Sequence, residues 1–313
     1  MSTIIPFLTR MQADIAADWV EALAAAMPSC RFVPFRDLSS EDRRQARVAV
    51  VADPEPSELL ELPSLRWVQS LWAGVERLMK EAPSDLHVVR MIDPMLAQSM
   101  ANAVLAWTLY LYRDMPRYRA QQAARVWRQH ALPEQSDTPV GILGLGALGS
   151  VAAQSLAAQG FPVLGWSRRL ATIEGVTCLS GSDGLEHLLR TARIIVVLLP
   201  LTDDTRGMLG RDELALAQRG AALINFGRGS VVDSEALLAA LDAGQLSHAV
   251  LDVFDEEPLP DASPLWGHER VTILPHISAP TNMRTASKVV AANVGGFLTS
   301  GTLPAGVDRT QGY

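Results

Sequence analysis

The 313-residue sequence predicts an α/β protein made of two doubly wound parallel-sheet domains, and three observations carry that reading. The second half alternates short Val/Ile/Leu runs with helical stretches, and those runs are continuous rather than alternately apolar and polar. Strands covered on both faces look like that. The first half repeats the alternation on a smaller scale. Between them residues 140–150, V-G-I-L-G-L-G-A-L-G-S, lead an apolar strand into a helix through Gly144-x-Gly146-x-x-Gly149. Gly144 suits the tight turn, Gly146 lets backbone approach a pyrophosphate, and Gly149 lets the helix pack on its strand. The helix start then offers N–H groups and partial positive charge to an anion. Glycine-rich helix starts also serve packing alone, so the later strands must decide.

Composition narrows the function classes. A hydrophobic content of 48% with 19% charged residues is that of an ordinary soluble enzyme, and the length suffices for two cores. A net charge of −7 without a basic stripe argues against nucleic acid as a partner. Cys30 and Cys178 are far apart and lack metal-ligand spacing, which fits a reducing compartment and no metal site. The N-terminus has no basic segment followed by an apolar core, and the longest apolar runs are too short for a bilayer. A cytoplasmic protein without membrane contact is expected.

In chain order, residues 4–8, 31–35, 48–51, 65–71 and 87–91 read as strands, with amphipathic helices at 19–27 and 75–80. Pro54, Pro56 and Pro63 punctuate the loops. Within this half, Ser70-Leu71-Trp72-Ala73-Gly74-Val75 runs from strand through a glycine turn into a helix, a geometry whose amides can hold a carboxylate. An ordinary strand-to-helix turn explains the same residues, and taken alone the segment favours it. Residues 102–113 form an apolar helix carrying Trp107, Tyr110 and Tyr112, followed by a polar helical stretch at 115–128. So apolar a helix points to a domain or subunit interface, and to a homodimer.

The second half places strands at 140–143, 163–167, 177–179, 194–199, 222–226, 249–254 and 271–274. A helix over 234–243 is capped by Asp233 or Ser234 and ended by Gly244. A doubly wound sheet binds ligands beyond the carboxyl ends of its strands. The distinctive polar residues fall there: Ser167-Arg168-Arg169, the run from Pro200 to Thr205, Gly227-Arg228-Gly229, Asp255-Glu256-Glu257-Pro258 and Pro275-His276-Ile277-Ser278. Chance would scatter them over both ends of the sheet.

Three segments carry a family resemblance: N-F-G-R-G-S-V-V-D (225–233), L-D-V-F-D-E-E-P-L-P (251–260) and L-P-H-I-S (274–278). They resemble the signatures of the D-isomer-specific 2-hydroxyacid dehydrogenases, and the likeness covers nearly the whole chain. The W-S-R-R and P-L-W segments and the terminal V-D-R-x-x-G-Y resemble its short glyoxylate/hydroxypyruvate reductase branch. The resemblance implies a discontinuous, flavodoxin-like substrate domain, residues 1–101 with 283–313, and a Rossmann domain over 102–282 that includes the interface helix 102–128. It further implies that Arg228 grips the substrate carboxylate, His276 gives a proton to the carbonyl oxygen, and Glu257 holds and charges that imidazole. Trp72, Ala73, Gly74 and Val75 would line the carboxylate site. Asp252 would bind the nicotinamide carboxamide, although a purely structural strand-end role fits it too. Gly144, Gly146, Ala147, Leu148, Gly149, Leu199, Pro200, Thr205, Phe226 and Gly227 would complete the dinucleotide-binding set. The remaining histidines, His87, His130, His187, His248 and His268, read as surface or packing residues.

Cofactor choice follows from charge. NAD-binding sheets end their second strand with an acid that binds the ribose hydroxyls. Here Ser167, Arg168 and Arg169 stand there, and no acid follows before Glu174. Paired arginines attract a 2′-phosphate, so NADPH is expected ahead of NADH. Relatives in this branch have a small residue where this chain has Trp72, an Asp where it has Glu76, and an acid where it has Asn102. Trp72 therefore leaves substrate size open. The expected activity is reduction of small 2-oxoacids such as glyoxylate and hydroxypyruvate. A broader reductase of pyruvate-like or phenylpyruvate-like acids is one alternative, and a dinucleotide-sensing binding protein is another. Glu257 in place of Gln argues against formate, and the prompt end at Tyr313 against the corepressor-like relatives, which carry extra tails.

Overall fold

Every strand pair within the two sheets of the described residues runs parallel. The computed structural model describes residues 2–309, and the chain divides into two units, Met1–Met95 with Thr281–Tyr313, and Leu96–Pro280. Met1 and residues 310–313, including the Gly312-Tyr313 end of the V-D-R-x-x-G-Y segment, lie outside the described residues.

The first unit begins β1 (Thr3–Thr9), α1 (Ala13–Ala26), β2 (Cys30–Pro34), α2 (Ser40–Gln45), β3 (Val48–Ala52) and α3 (Pro56–Leu60). It continues with β4 (Trp67–Ser70), α4 (Glu76–Glu81) and β5 (His87–Val89). The sheet order β2-β1-β3-β4-β5 is the flavodoxin-like one. All five residues of β3 are buried, which is why that strand is an unbroken apolar run. Strand 65–71 proves shorter than its pattern suggests: Leu65 and Leu71 are apolar because they pack in two different core clusters, although they lie just outside β4.

Helix α5 (Pro94–Tyr112) starts eight residues before the expected position 102. Asp93 Oδ1 accepts the Met95 N–H at 2.9 Å, and Pro94 needs no donor in the first turn. The expected second helix, 115–128, stops earlier as α6 (Met115–Ala123). Arg125 adopts φ +55° there. Side chains then hold the departing chain: Gln121 Nε2 donates to the Arg128 carbonyl at 2.8 Å and Tyr112 Oη to that of Pro133 at 3.1 Å.

The second unit continues with β6 (Val140–Leu143), α7 (Ala147–Ala158), β7 (Val163–Trp166), β8 (Val176–Leu179) and α8 (Gly181–Thr191). After these come β9 (Ile194–Val197), α9 (Arg211–Leu216), β10 (Ala221–Asn225), α10 (Ser234–Asp242), β11 (Leu246–Leu251) and β12 (Val271–Ile273). Their order, β12-β11-β10-β9-β6-β7-β8, is the Rossmann order with one further edge strand. The sheet reverses direction of growth between β6 and β9, so the loops after those strands flank the ligand crevice such sheets possess. Asp233 caps α10 as expected, its Oδ1 accepting the Ala236 N–H at 2.7 Å.

The chain then returns to the first unit as α11 (Met283–Ser300), capped by Asn282. Its apolar face, Ala286, Val290, Val294 and Phe297, completes the core around Ile5, Phe7, Trp19 and Trp67. Phe297 meets Trp67 edge-on with ring centres 5.6 Å apart. Fully burying a side chain such as Phe297 contributes roughly 1.5–3 kcal/mol. Below it Asn293 Nδ2 donates to Gln69 Oε1 at 2.7 Å, so this buried glutamine is satisfied by the last helix.

Candidate active site

The glycine loop has the geometry that its sequence requires. A Cβ on Gly149 would stand 1.8 Å from the Gly144 carbonyl oxygen, so only glycine lets α7 lie against the end of β6. A Cβ on Gly146 would meet nothing within 4 Å, and Gly146 and Ala147 are exposed. No side chain caps α7, whose first turn therefore presents its N–H groups from an open cradle. Leu148 is half-buried behind them. Leu199 and Phe226 lie in the core clusters, so any contact they make with a ligand falls to their backbone. Gly227 is buried beside them, while Pro200 is held by Thr205, whose Oγ1 donates to the Pro200 carbonyl at 2.6 Å.

At the end of β7, Ser167 is half-buried and Arg168 and Arg169 are exposed. Ser167 Oγ donates to the Arg169 carbonyl at 2.7 Å and tightens this turn. Arg168 Nη1 lies 3.8 Å from Asp204 Oδ2, which comes from the loop after β9. Sequence reading missed that acid, because 36 residues separate the pair and only the strand order brings them together.

Three loops of the same unit assemble Arg228, Glu257 and His276. Arg228 follows β10, and Gly229 beside it is irreplaceable: a Cβ there would stand 2.1 Å from the Phe254 carbonyl carbon. That contact presses the arginine loop onto the loop that carries Glu257. Glu257 Oε1 accepts the Phe254 N–H at 2.9 Å, and Oε2 lies 2.7 Å from His276 Nδ1. Burial pushes the Glu257 carboxyl up, but the bonds from His276 and Phe254 outweigh it and hold the group below its ordinary value. The group is therefore a carboxylate, and His276 Nδ1–H is the donor. For His276 the bond to Glu257 raises the pKa, burial opposes it, and the charges of Glu257 and Asp252 add to the rise. Arg228 pulls both values down by its positive charge, which puts all three groups in one electrostatic field.

His276 is one of few non-glycine residues with a left-handed backbone, φ +55°. Asp252 stabilises that loop. The carboxylate is 2% exposed, and its two oxygens accept the N–H groups of Ile277 at 2.7 Å and Ser278 at 2.8 Å. Here the structural role of Asp252 is on view, and each oxygen keeps a second lone pair for another donor.

In the first unit, Trp72, Ala73, Gly74 and Val75 follow β4 at its carboxyl end. Trp72 N–H donates to Ser70 Oγ at 3.0 Å, and Val75 is buried at the start of α4. Trp72, Gly74 and Val75 line a cavity of about 100 Å³ together with Asp53, Pro54 and Arg77. Arg77 holds its rim: it donates to the Pro54 carbonyl at 2.8 Å and pairs with Asp53 and Glu81. The i,i+4 spacing of Arg77 and Glu81 was a signal available in the sequence. The other histidines are structural or peripheral. His248, for one, is buried against Thr272 Oγ1 at 2.9 Å. Among the described residues no group of His, Cys, Asp and Glu could hold a metal ion, and no helix is long and apolar enough to cross a membrane. Cys30 and Cys178 are unpaired.

A Rossmann sheet with an open glycine cradle, and a carboxylate–histidine pair beside an arginine at its carboxyl edge, define a dinucleotide-dependent oxidoreductase. The family model for the D-isomer specific 2-hydroxyacid dehydrogenase NAD binding domain matches residues 105–278. The chain is 36% identical over 306 residues to glyoxylate/hydroxypyruvate reductase A of Serratia proteamaculans (strain 568), covering 95% of this chain and 96% of that one. The D-isomer specific 2-hydroxyacid dehydrogenase of Xanthobacter autotrophicus Py2, solved with NADPH and MES, superimposes with a TM-score of 0.93 at 38% identity over 100% of both chains. The NADPH-dependent glyoxylate/hydroxypyruvate reductase of Sinorhizobium meliloti, solved with NADP and sulfate, gives 0.91 at 33% identity over 99% of this chain and 100% of that one. The chain belongs to the D-isomer specific 2-hydroxyacid dehydrogenase family, and within it resembles the glyoxylate/hydroxypyruvate reductase A branch.

Proposed function

We propose that this protein reduces small 2-oxoacids, glyoxylate and hydroxypyruvate foremost, to 2-hydroxyacids with NADPH. The observation that carries the proposal is the 2.7 Å His276–Glu257 pair beside Arg228, on the sheet edge that also carries the glycine cradle. The cradle at Gly144, Gly146 and Gly149 and the α7 start suit a pyrophosphate, and Ser167, Arg168 and Arg169 suit a 2′-phosphate. The solved relatives named above, with NADPH or NADP bound, support that preference over NADH.

Bound NADPH would supply a hydride to the C2 carbonyl carbon. Arg228 orients the oxoacid, since its planar fork can engage carboxylate and carbonyl together. His276 keeps Nδ1–H on Glu257, which leaves Nε2–H as the proton given to the carbonyl oxygen. The carbonyl π bond thereby becomes one C–H and one O–H bond, and His276 ends neutral. Asp252 holds the His276 loop in register throughout. The amides of Ala73, Gly74 and Val75 suit a carboxylate, which makes the first unit the substrate domain and the second the dinucleotide domain.

We further propose a homodimer in a reducing, cytoplasmic setting. The exposed Trp127, at 97%, with Val126, Leu132 and Leu109, gives the second unit apolar surface for a second copy. Two unpaired cysteines and an NADPH requirement suit that compartment.

Steady-state oxidation of NADPH and NADH with a panel from glyoxylate to phenylpyruvate tests the activity. Turnover of glyoxylate and hydroxypyruvate with NADPH is expected, and absence of turnover with every oxoacid would leave the binding-protein reading. Sedimentation in solution tests the dimer.

A further inference from the structure

Arg168 is positioned to meet a 2′-phosphate, yet it already faces an anion. Asp204 Oδ2 lies 3.8 Å from its Nη1, with side-chain exposures of 80% and 41%. The two residues come from the loops after β9 and β7, on either side of β6. Asp204 is held in place by its neighbours. Thr205 Oγ1 donates to the Pro200 carbonyl at 2.6 Å and accepts the Thr202 N–H at 2.8 Å, and Arg206 N–H donates to the Thr202 carbonyl at 3.0 Å. These bonds shape the turn on which the carboxylate stands.

We propose that Asp204 is a specificity-determining residue, an internal counter-ion that competes with the coenzyme 2′-phosphate for Arg168 and so limits the preference for NADPH over NADH. The inference rests on the coenzyme reading above and deepens it. A carboxylate on that guanidinium must share it or yield when a doubly charged phosphate arrives, and the two anions repel at close range. NADH has ribose hydroxyls at the same place and is nearly indifferent to the exchange. The pair is exposed, so its influence is modest and falls with ionic strength. Asp203, its neighbour in sequence, carries the same charge on the same turn, which makes it a natural control.

The test compares Asp204→Asn, Asp203→Asn, Arg168→Gln and the Asp204→Asn/Arg168→Gln double variant. Dissociation constants are measured by fluorescence titration of the whole enzyme with NADPH, NADH and adenosine 2′,5′-bisphosphate. Asp204→Asn is expected to tighten NADPH and the bisphosphate about two- to five-fold, the range of one exposed ion pair, and to leave NADH unchanged. Asp203→Asn should give a smaller gain, and the Asp204→Asn gain should vanish in the Arg168→Gln background. An equal gain for NADH, an equal gain from Asp203→Asn, or a gain that survives Arg168→Gln overturns the proposal. The coenzyme reading fails separately, if wild type binds NADH more tightly than NADPH. The change caused by Asp204→Asn is measurable in either case.

Discussion

Glu257 binds His276 through one carboxylate oxygen, at 2.7 Å, while its other oxygen is tied to the Phe254 backbone at 2.9 Å. The carboxylate therefore cannot swing away without giving up a backbone bond. Its hydrogen bond is the largest influence raising the His276 pKa. In the proposed mechanism reduction uses protonated His276, so reductive kcat/KM should be flat at low pH and fall as pH rises through the raised value. Oxidation of the hydroxyacid uses the neutral ring and should rise over the same interval. Glu257→Gln keeps a hydrogen-bonding group without the charge, and should move the reductive fall to lower pH. An alkaline limb that stays at the wild-type position would falsify the pairing as a functional one. His276→Ala should cost about 10²–10⁴ in rate with coenzyme binding intact.

Replacing both Arg168 and Arg169 by Ala should raise the NADPH KM by about two to four decades at most, since each charged hydrogen bond contributes roughly 1.5–3 kcal/mol. The NADH KM should hardly change. Equal losses for both coenzymes would mean that the arginines support the fold of the β7 turn rather than the phosphate.

Trp72 packs partly on the first unit's core and partly lines the cavity beside Gly74 and Val75. Trp72→Ala should raise kcat/KM for phenylpyruvate relative to glyoxylate. The ratio is internal to one preparation, so a partial loss of folded enzyme cancels. A ratio equal to that of wild type would show that the indole serves packing alone.

Burial holds the His248 imidazole down at about 4, well below the ordinary ~6.5 of an unfolded chain. Between those values the unfolded chain binds the extra proton, so stability is intact above the ordinary value and lost as pH falls towards 4. At pH ~5 the loss is about 2 kcal/mol from this residue. His248→Gln retains a partner for Thr272 but does not titrate. Urea midpoints at neutral and mildly acid pH should therefore differ less for the variant than for wild type.

The strands of the second unit and the glycine loop were legible because a parallel sheet imposes a local pattern: buried runs, then polar residues at their carboxyl ends. Arg228, Glu257 and His276 each close such a run. Contacts between distant loops leave no such trace. Nothing in L-D-V reveals that both oxygens of Asp252 are occupied by the Ile277 and Ser278 amides, nor in T-D-D-T that Asp204 reaches Arg168. Helix α5 begins early for a local reason that was readable: Asp93-Pro94 is a cap followed by a first-turn proline. The Ser39–Asp42 capping box of α2 was equally visible. The end of α6 was not, because Gln121, Tyr118 and Tyr112 hold the following residues in a non-helical path that composition does not encode.

Helix α11 sets a timetable for biosynthesis. The ribosome delivers β1 to β5 first, but the face that bears Trp19 and Trp67 is closed by residues 283–300, which are translated after the whole second unit. At ordinary elongation rates the interval is roughly 10–40 s. For that time the amino-terminal sheet waits with one apolar flank uncovered, while the later-made Rossmann unit can already finish folding. The amino-terminal sheet is thus the part of the nascent chain most in need of a chaperone, until residues 283–300 have been made and can dock on it.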